Sequence, residues 1–419
     1  MQLRIVGAGW AGIAAAVAAC QRGWSVSLHE AAHHAGGRAR ALPHDGETFD
    51  NGQHILIGAY QATLGLLHTV GVDAHTQLWR QPLDLRDAHG HGLQLPAAAP
   101  PWDLLIGVWR ASGWSWRDRW ALLRAAMRWQ LRGFTCPADW SVARLCQADG
   151  LTPPLVEGLV EPLCLSALNT DLAHASAAVF LRVLRDALLS GPGGADLLLP
   201  RTDLSSLLVT PALQWLHNQG AQVALGDRVT PETLQTWVAA ADVHHPVLLA
   251  VPSREAARLC QLHAPAWAQR AAQLQARAIA TVYLHVEDPH FNGLSRPMLA
   301  LRSNAQAPAQ FVFGRQQLCG EPRSLAAVVS DCTLARDTLS ERVLAQVRDQ
   351  LGLSALGVRQ TRIERHATFA CTPGLQRPSP RVGPHLWACG DYVDGPYPAT
   401  LEGAVRSGQQ VVAELAQMR

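Results

Sequence analysis

The sequence predicts an α/β protein whose two domains are interleaved along the chain. Three observations support this: glycine-rich turns near both ends, a helical middle section rich in Trp and Arg, and strand-like runs between Ala278 and Asp331. With 419 residues, of which 48% are hydrophobic, the chain can bury two separate cores. We therefore expect one domain with a parallel sheet and a second domain built from an antiparallel sheet and helices.

The first glycine-rich turn follows the apolar run at 3–6 and precedes an Ala-rich segment. Its spacing, Gly7-x-Gly9-x-x-Gly12, predicts a Rossmann-like strand, turn and helix that bind a dinucleotide. Gly7 makes the tight turn, Gly9 admits a pyrophosphate, and Gly12 lets the helix pack close to the strand. The free N–H groups at the helix N-terminus suit phosphate oxygens, and Glu30 is predicted to bind a ribose hydroxyl.

A second glycine-rich loop, Gly36-Gly37-Arg38-Ala39-Arg40, begins soon after the strand that ends at Glu30. A nicotinamide site needs no such loop, whereas a longer cofactor folded back over the first helix does. We therefore predict noncovalently bound FAD. Gly37 is expected beside it, and Arg38 is expected to be a cation near its phosphates or ribityl chain.

Near the C-terminus, a strand ends in Gly390-Asp391, and a helix is expected to begin near Thr400 and Leu401. Asp391 is predicted to accept hydrogen bonds from the ribityl chain or from the turn backbone. The N–H groups of the helix would point at the flavin and stabilise the negative charge of its reduced ring. The two glycine-rich ends together indicate an FAD-binding domain of the glutathione-reductase type.

The order of these segments predicts the domain boundaries. The FAD-binding domain is expected to be discontinuous and to comprise residues 1–75, 196–265 and 376–419. Residues 266–375 are predicted to form an antiparallel sheet over the flavin, with a substrate chamber between them. Residues 76–195 form a helical region that contacts substrate and membrane. After a turn at Asn51, the apolar residues from Ile55 to His68 follow helical spacing and predict one helix.

The helical region is rich in Trp and Arg. These residues are Trp102, Trp109, Trp114, Trp116, Trp120 and Trp129, interleaved with Arg110, Arg117, Arg119, Arg124, Arg128 and Arg132. Amphipathic helices with this composition suit a bilayer interface, and the alternative is a helical subdomain with a Trp core.

A later helix at 172–189 offers candidates for the wall of an apolar substrate cavity: Val179, Leu181, Val183 and Leu184.

Composition restricts the partners and the compartment. A net charge of +2 indicates no nucleic-acid partner, and no metal site is predicted. Nine Cys residues without a Cys-x-x-Cys pair favour reduced thiols in the cytoplasm. No apolar run approaches the ~20 residues of a spanning helix, so we expect peripheral association with the inner face of the cell membrane. A second Gly-x-Gly-x-x-Gly is absent from the strand-rich region, which predicts an external electron donor.

Four segments carry a resemblance to a known family: Val6–Gly12, Gly36–Arg40, Asp50-Asn-Gly-Gln-His54 with Gly58-Ala-Tyr60, and Pro398–Ala404. Together they resemble the flavin amine oxidase and phytoene desaturase superfamily. Within it, the Asp50–His54 run resembles the squalene-associated FAD enzymes called hydroxysqualene dehydroxylases. The departures are small: Cys389 replaces another small residue, and Leu401 replaces Ile. The resemblance implies reduction of hydroxysqualene to squalene on the way to hopanoids.

Such a reaction suits reduced flavin, since an acid protonates the leaving hydroxyl while hydride is delivered to the developing carbocation. Asp50, His54 and Tyr60 are the candidate acids, and packed or surface roles remain open for His54 and Tyr60.

A carotenoid-type desaturase would use a similar pocket in the opposite redox direction. A non-catalytic isoprenoid-binding flavoprotein would share the fold. An amine oxidase is disfavoured, because only 4 Tyr and 7 Phe are available for an aromatic cage.

Overall fold

Two five-stranded sheets organise the fold, one parallel and one antiparallel. The structure, a computed structural model, describes residues 1–418. Its strands are β1 (Gln2–Val6), β2 (Ser25–Glu30), β3 (Ala41–His44), β4 (Glu47–Asp50), β5 (Leu56–Ile57), β6 (Leu78–Gln81), β7 (Leu197–Pro200), β8 (Gln222–Leu225), β9 (Val247–Leu249), β10 (Ala276–Val286), β11 (Met298–Ala300), β12 (Phe311–Gly314), β13 (Ser324–Ser330), β14 (Leu356–Phe369) and β15 (Leu386–Ala388).

Helices lie against the parallel sheet and on both sides of the antiparallel sheet. They are α1 (Trp10–Cys20), α2 (Gln61–Thr69), α3 (Ala74–Gln77), α4 (Trp102–Arg110), α5 (Trp116–Leu131), α6 (Val142–Asp149), α7 (Pro153–Leu155), α8 (Glu161–Leu168), α9 (Ala177–Leu189), α10 (Thr210–Asn218), α11 (Pro231–Ala239), α12 (Ser253–Cys260), α13 (Pro265–Ala272), α14 (Arg315–Cys319), α15 (Arg336–Leu351) and α16 (Leu401–Gln417). Single π-helical turns, Val156–Val160 and Ser205–Val209, lead into α8 and α10.

The parallel sheet has the strand order β15-β9-β1-β2-β8. Its central strand β1 places Ile5 opposite both Leu28 of β2 and Leu248 of β9, and all three side chains are fully buried. The strands come from three separate stretches of the chain, as expected for a discontinuous Rossmann-like domain. The boundaries at 75, 196, 265 and 376 stay a prediction.

The antiparallel sheet has the order β11-β12-β13-β10-β14 and separates two hydrophobic clusters. Val282 of β10 packs toward Val343 of α15, whereas the alternate residue Tyr283 faces the opposite cluster. The four strands β10 to β13 match the strand-like runs predicted between Ala278 and Asp331. The fifth, β14, was not predicted because Arg and Glu side chains interrupt its apolar pattern.

One local prediction was wrong: the stretch from Ile55 to His68 is not a single helix. Leu56 and Ile57 form β5, which pairs with β7 in a small sheet of order β5-β7-β6. Helical structure begins only at Gln61. The apolar spacing fits both structures, and pairing with Leu198 of β7 selects the strand.

Helices α4 and α5 form an outer layer whose inner face packs on the antiparallel sheet. Val108 and Leu122 belong to the same cluster as Tyr283. The fully buried carboxylate of Asp149 accepts hydrogen bonds from the Trp129 indole (2.7 Å) and from Arg132 (2.8 Å), which anchors the end of α5. No helix within residues 1–418 is long and apolar enough to cross a bilayer.

Candidate functional site

The first half of the site is a backbone cradle at the start of α1. Gly12 must lack a side chain, because a Cβ there would lie 1.9 Å from the carbonyl oxygen of Gly7, which itself has φ +103°. At Gly9, by contrast, a Cβ would meet only the Cα of Gly37, at 3.8 Å. The space beside Gly9 is therefore open, and a side chain at this position would fill it.

The two glycine-rich loops meet at this cradle. Gly9 and Gly36 form a β-bridge, and the Gly36 N–H donates to the carbonyl of Ala8 at 2.8 Å. No side chain caps the N-terminus of α1, and its first turn holds no acidic residue. Open space, uncapped N–H groups and a positive helix end fit a diphosphate, as FAD requires.

Glu30 is held at the end of β2 by backbone donors. Its two carboxylate oxygens accept from the N–H of Ala8 at 2.8 Å and from the N–H of Ala32 at 2.9 Å. A carboxylate has about four acceptor positions, so both oxygens can still accept from a ribose hydroxyl. The position fits the predicted role, which stays a prediction.

Arg38 connects three parts of the chain. Its guanidinium pairs with Asp391 at 2.6 Å and donates to the carbonyls of His366 (3.3 Å) and Ala367 (2.7 Å) at the end of β14. Asp391 is buried in the turn after Gly390. These contacts fasten the second glycine-rich loop to the C-terminal turn and to the sheet domain, and contact between Arg38 and FAD stays a prediction.

The N-terminus of α16 is capped by Thr400 and is joined to the start of α2 by Glu402. Thr400 precedes the first helical residue, Leu401, and its hydroxyl accepts the N–H of Gly403 at 2.9 Å. The fully buried Glu402 accepts from the backbone N–H groups of Ala62 (3.0 Å) and Thr63 (2.9 Å) at the start of α2. Glu402 thereby fixes α2 against α16, a role that the sequence analysis missed.

The Asp50–His54 run, which carries the family resemblance, lies between the second glycine-rich loop and the antiparallel sheet. The Asn51 amide donates to the carbonyl of Arg38 (3.2 Å) and to the Glu364 carboxylate of β14 (2.8 Å). Residues 51–55 are all half-buried, although they lie at the junction of the two sheet systems. The Tyr283 hydroxyl donates to the Asp50 carbonyl at 2.9 Å, and the Gln53 N–H donates to the Thr281 hydroxyl at 3.2 Å. The antiparallel sheet therefore holds this loop in place from one side.

The three candidate acids have different protonation properties. Burial raises the pKa of the Asp50 carboxyl to about 6, although it accepts the Leu204 N–H at 2.9 Å. His54 Nδ1 lies 2.7 Å from the Gly52 carbonyl, which can only accept, so this nitrogen carries the proton. Burial lowers the pKa of His54, and burial raises the pKa of Tyr60 well above its usual range. Burial thus shifts the pKa of Asp50 toward neutral pH and shifts the pKa values of His54 and Tyr60 away from it.

The structure places Asp50 at the end of β4 and His54 in the loop that follows, and it places Tyr60 elsewhere. Tyr60 directly precedes α2, close to Thr400 and Glu402, so it belongs with the α16 terminus. Gln53 was not predicted as a separate candidate, although this residue stands inside the distinctive run. Arg315, whose guanidinium lies 3.4 Å from the Gln53 side-chain oxygen, was not predicted either, because no motif surrounds Arg315.

The fold and the cradle define a protein with a Rossmann-like dinucleotide-binding domain. Solved structures share this fold at low identity. An oxidoreductase from Methanosarcina mazei matches with a TM-score of 0.69 at 14% identity, over 99% of this chain and 100% of that chain. A putrescine oxidase double mutant matches with a TM-score of 0.64 at 16% identity, over 100% and 99% of the two chains.

Residues 10–416 match the family described as flavin containing amine oxidoreductase, and the chain belongs to this family. Its cofactor is FAD, and it is an FAD-dependent oxidoreductase. A hydroxysqualene dehydroxylase from Rhodopseudomonas palustris is 30% identical, over 97% of this chain and 96% of that protein. Another, from Sinorhizobium fredii, is 27% identical over 99% and 98%. These relatives confirm the resemblance seen in the motifs.

Proposed function

We propose that the protein reduces hydroxysqualene to squalene, with FAD as the redox cofactor and an external protein or small molecule as the electron donor. The observation that supports this most directly is full-length similarity to relatives named hydroxysqualene dehydroxylase. The half-buried loop at 51–55, held between the cofactor cradle and the antiparallel sheet, supports a reaction centre at this junction.

The reaction breaks the C–O bond, and both bonding electrons leave with oxygen. The oxygen takes up one proton and departs as water, while the carbon receives two electrons and one hydrogen. When bound in its reduced form, FAD supplies hydride for such a step. The tasks left to the protein are to deliver the proton, to exclude other nucleophiles and to hold the substrate.

We assign proton delivery to Asp50. With a pKa of about 6, a large fraction of this buried carboxyl is protonated at mildly acidic pH. The His54 ring is neutral, and its proton on Nδ1 is already donated to the Gly52 carbonyl. A carboxylic acid with a raised pKa is the usual solution when an enzyme must protonate a leaving oxygen.

The second half of α9 supports the assignment of an apolar chamber. All residues from Arg182 to Leu188 are half-buried, so no side of this half of the helix is completely covered by the rest of the protein. Val183 and Leu184 are half-buried as a cavity wall requires, whereas Leu181 is fully buried core. Half-buried Ile55 and Leu188 pack against the cluster that also holds Tyr283. Apolar walls would exclude water from a developing carbocation.

The α4–α5 layer is proposed to dock on the membrane that holds the substrate. Its outward face exposes Trp102 (63%), Trp109 (71%), Trp116 (64%), Trp120 (53%) and Leu131 (80%). Trp114 and Trp129, by contrast, are buried, so the alternative of a Trp core holds for these two only. Exposed rings at successive turns of two neighbouring helices form an apolar face that water solvates poorly.

Charge favours a lipid surface as the occupant of this face. Arg110, Arg117 and Arg124 are exposed on the same two helices, where they can contact anionic headgroups. The inner side of the layer, through Val108 and Leu122, joins the cluster that contains Tyr283. A C30 chain taken from the bilayer would therefore meet apolar protein between the membrane face and the reaction centre.

Anaerobic incubation of the chemically reduced protein with hydroxysqualene tests the proposed reaction. Stoichiometric squalene and oxidised flavin are expected. If the oxidised protein instead converts squalene or a polyene to a desaturated product while hydroxysqualene is left unchanged, the protein is a desaturase. If hydroxysqualene binds but neither the ligand nor the flavin changes, the proposed reduction is wrong.

A further inference from the structure

We propose that the side-chain amide of Gln53 donates a hydrogen bond to the hydroxyl oxygen of the substrate, and that Arg315 positions this amide. The inference rests on the proposed function, since it names the group that distinguishes the alcohol substrate from its hydrocarbon product. Hydroxysqualene and squalene share a long apolar skeleton, so apolar walls alone cannot discriminate strongly between them.

The orientation of the Gln53 amide follows from its neighbour. The Arg315 guanidinium lies 3.4 Å from Gln53 Oε1. A guanidinium has five donors and no acceptor, so it can pair only with the oxygen end of the amide. The NH₂ end of Gln53 must therefore face away from Arg315.

Arg315 is itself held firmly. The residue is only 4% exposed, and its Nε donates to Glu321 at 2.8 Å, while a second nitrogen donates to the other oxygen of Glu321. The guanidinium carbon also lies 5.2 Å from the centre of the Tyr283 ring. A forked ion pair and a ring contact leave the guanidinium little freedom, so it is suited to fix the Gln53 oxygen.

The backbone of Gln53 is fixed as well, since its N–H donates to the Thr281 hydroxyl at 3.2 Å. Among residues 1–418, no acceptor makes a hydrogen bond with the Gln53 NH₂ group. The residue is half-buried in the middle of the loop at 51–55. A preorganised donor without a protein partner, in the loop that joins the cofactor cradle to the sheet, is suited to a ligand oxygen.

Such a donor would act in two ways. In the bound substrate it would hold the hydroxyl at one place in an otherwise apolar chamber. As the C–O bond breaks, the oxygen gains electron density until Asp50 protonates it, so the hydrogen bond would strengthen. Squalene offers no acceptor, which leaves the donor unpaired in the product complex and favours product release.

Two variants of Gln53 separate this role from a structural one. Gln53→Glu has nearly the same shape and keeps the contact with Arg315, which would also keep the new carboxylate ionised, but it has no donor. Gln53→Leu removes both ends of the amide. Binding of hydroxysqualene and of squalene to the oxidised protein is measured separately from the perturbation of the flavin absorbance spectrum.

In the wild-type protein we expect tighter binding of hydroxysqualene than of squalene. Gln53→Leu should weaken hydroxysqualene binding by about tenfold, the effect of one hydrogen bond, and should not weaken squalene binding. Gln53→Glu can still accept from the substrate O–H but offers no donor to the leaving oxygen, so it should slow single turnover of hydroxysqualene more than it weakens binding. Gln235→Glu, on the exposed side of α11, is the charge-matched control and should preserve the preference. Arg315→Lys keeps a charge for Glu321 but loses the fork, so it should weaken hydroxysqualene binding by a few-fold and spare squalene binding.

Two outcomes overturn the assignment. One is an unchanged preference for hydroxysqualene in Gln53→Leu. The other is an equal loss of affinity for both ligands, which would indicate a structural role. If wild-type protein fails to convert hydroxysqualene at all, the proposed function fails and this assignment fails with it; turnover in the wild type with unchanged variants rejects the role of Gln53 alone.

Discussion

The cofactor cradle and the α4–α5 layer differ in how their side chains are used. In the cradle, glycine removes side chains so that α1 can approach the backbone of β1 and leave open space beside Gly9. In the α4–α5 layer, large side chains project outward, and four of the six Trp residues are more than half exposed. The cradle is thus defined by backbone geometry, and the layer by surface that the fold does not bury. The two regions should therefore fail independently.

Gly9→Val is expected to have the largest effect. The variant should fold, because a Cβ at this position meets no atom closer than 3.8 Å, but its side chain would fill the space assigned to the pyrophosphate. Purified protein should lose its yellow colour and its FAD while it still binds liposomes. Gly65→Val, in open space on the exposed side of α2, is the matched control and should keep its FAD. Normal FAD content in Gly9→Val would show that the cradle is not the cofactor site.

Asp50→Asn tests the loop between the two regions. If Asp50 delivers the proton, the single-turnover rate should fall on the order of 10² to 10⁴-fold. In the wild type, the rate should be highest below the pKa of about 6 and fall as the pH rises through it. The variant should lack this limb of the pH profile.

Stability gives an independent check on Asp50. Because its folded pKa is raised above 3.8, the folded state binds the proton more tightly than the unfolded state does. Its contribution to stability is therefore lost as the pH rises through about 6. Thermal unfolding of Asp50→Asn at pH 8 should occur at an unchanged or higher temperature.

For the single-turnover rate, a wild-type rate independent of pH between 5 and 8 would reject Asp50 as the acid.

Replacing Trp109, Trp116 and Trp120 together by Ser should affect only the α4–α5 layer. Each ring is expected to contribute on the order of 1–2 kcal/mol to lipid binding, so liposome affinity should weaken on the order of 10² to 10⁴-fold. FAD content and turnover of detergent-presented substrate should stay near wild type. The control replaces Val243, Leu262 and Met418, exposed apolar residues elsewhere, by Ser. Equal binding by the Trp variant and the parent would move the membrane contact to another surface.

The smallest expected effect belongs to Arg117→Gln. One exposed Arg near an anionic surface contributes about 1 kcal/mol, which corresponds to roughly a fivefold loss of binding to anionic liposomes. The loss should disappear on neutral liposomes and at high salt, because ions screen exposed charges. A loss that persists on neutral liposomes would indicate that the substitution disturbs α5 itself.

Much of the fold could be predicted because its signals are local. Glycine spacing at Gly7, Gly9 and Gly12 reflects steric limits that apply wherever a strand, a tight turn and a helix follow one another. Short apolar, strand-like runs between Ala278 and Asp331 likewise predicted β10 to β13. The strand β14 and the short strand β5 were not predicted, because their residues acquire strand structure from hydrogen bonding to distant partners.

The sequence by itself determined the class of cofactor domain, the family resemblance and the presence of aromatic helices. Only the tertiary structure decided which Trp residues face solvent, since Trp109 at the end of α4 is exposed whereas Trp114, in the turn before α5, is buried. It also decided that Glu402 holds α2 against α16 and that Arg315 lies beside Gln53, 262 residues away along the chain. Burial and long-range hydrogen bonds depend on distances between atoms far apart in sequence, and no local pattern contains those distances.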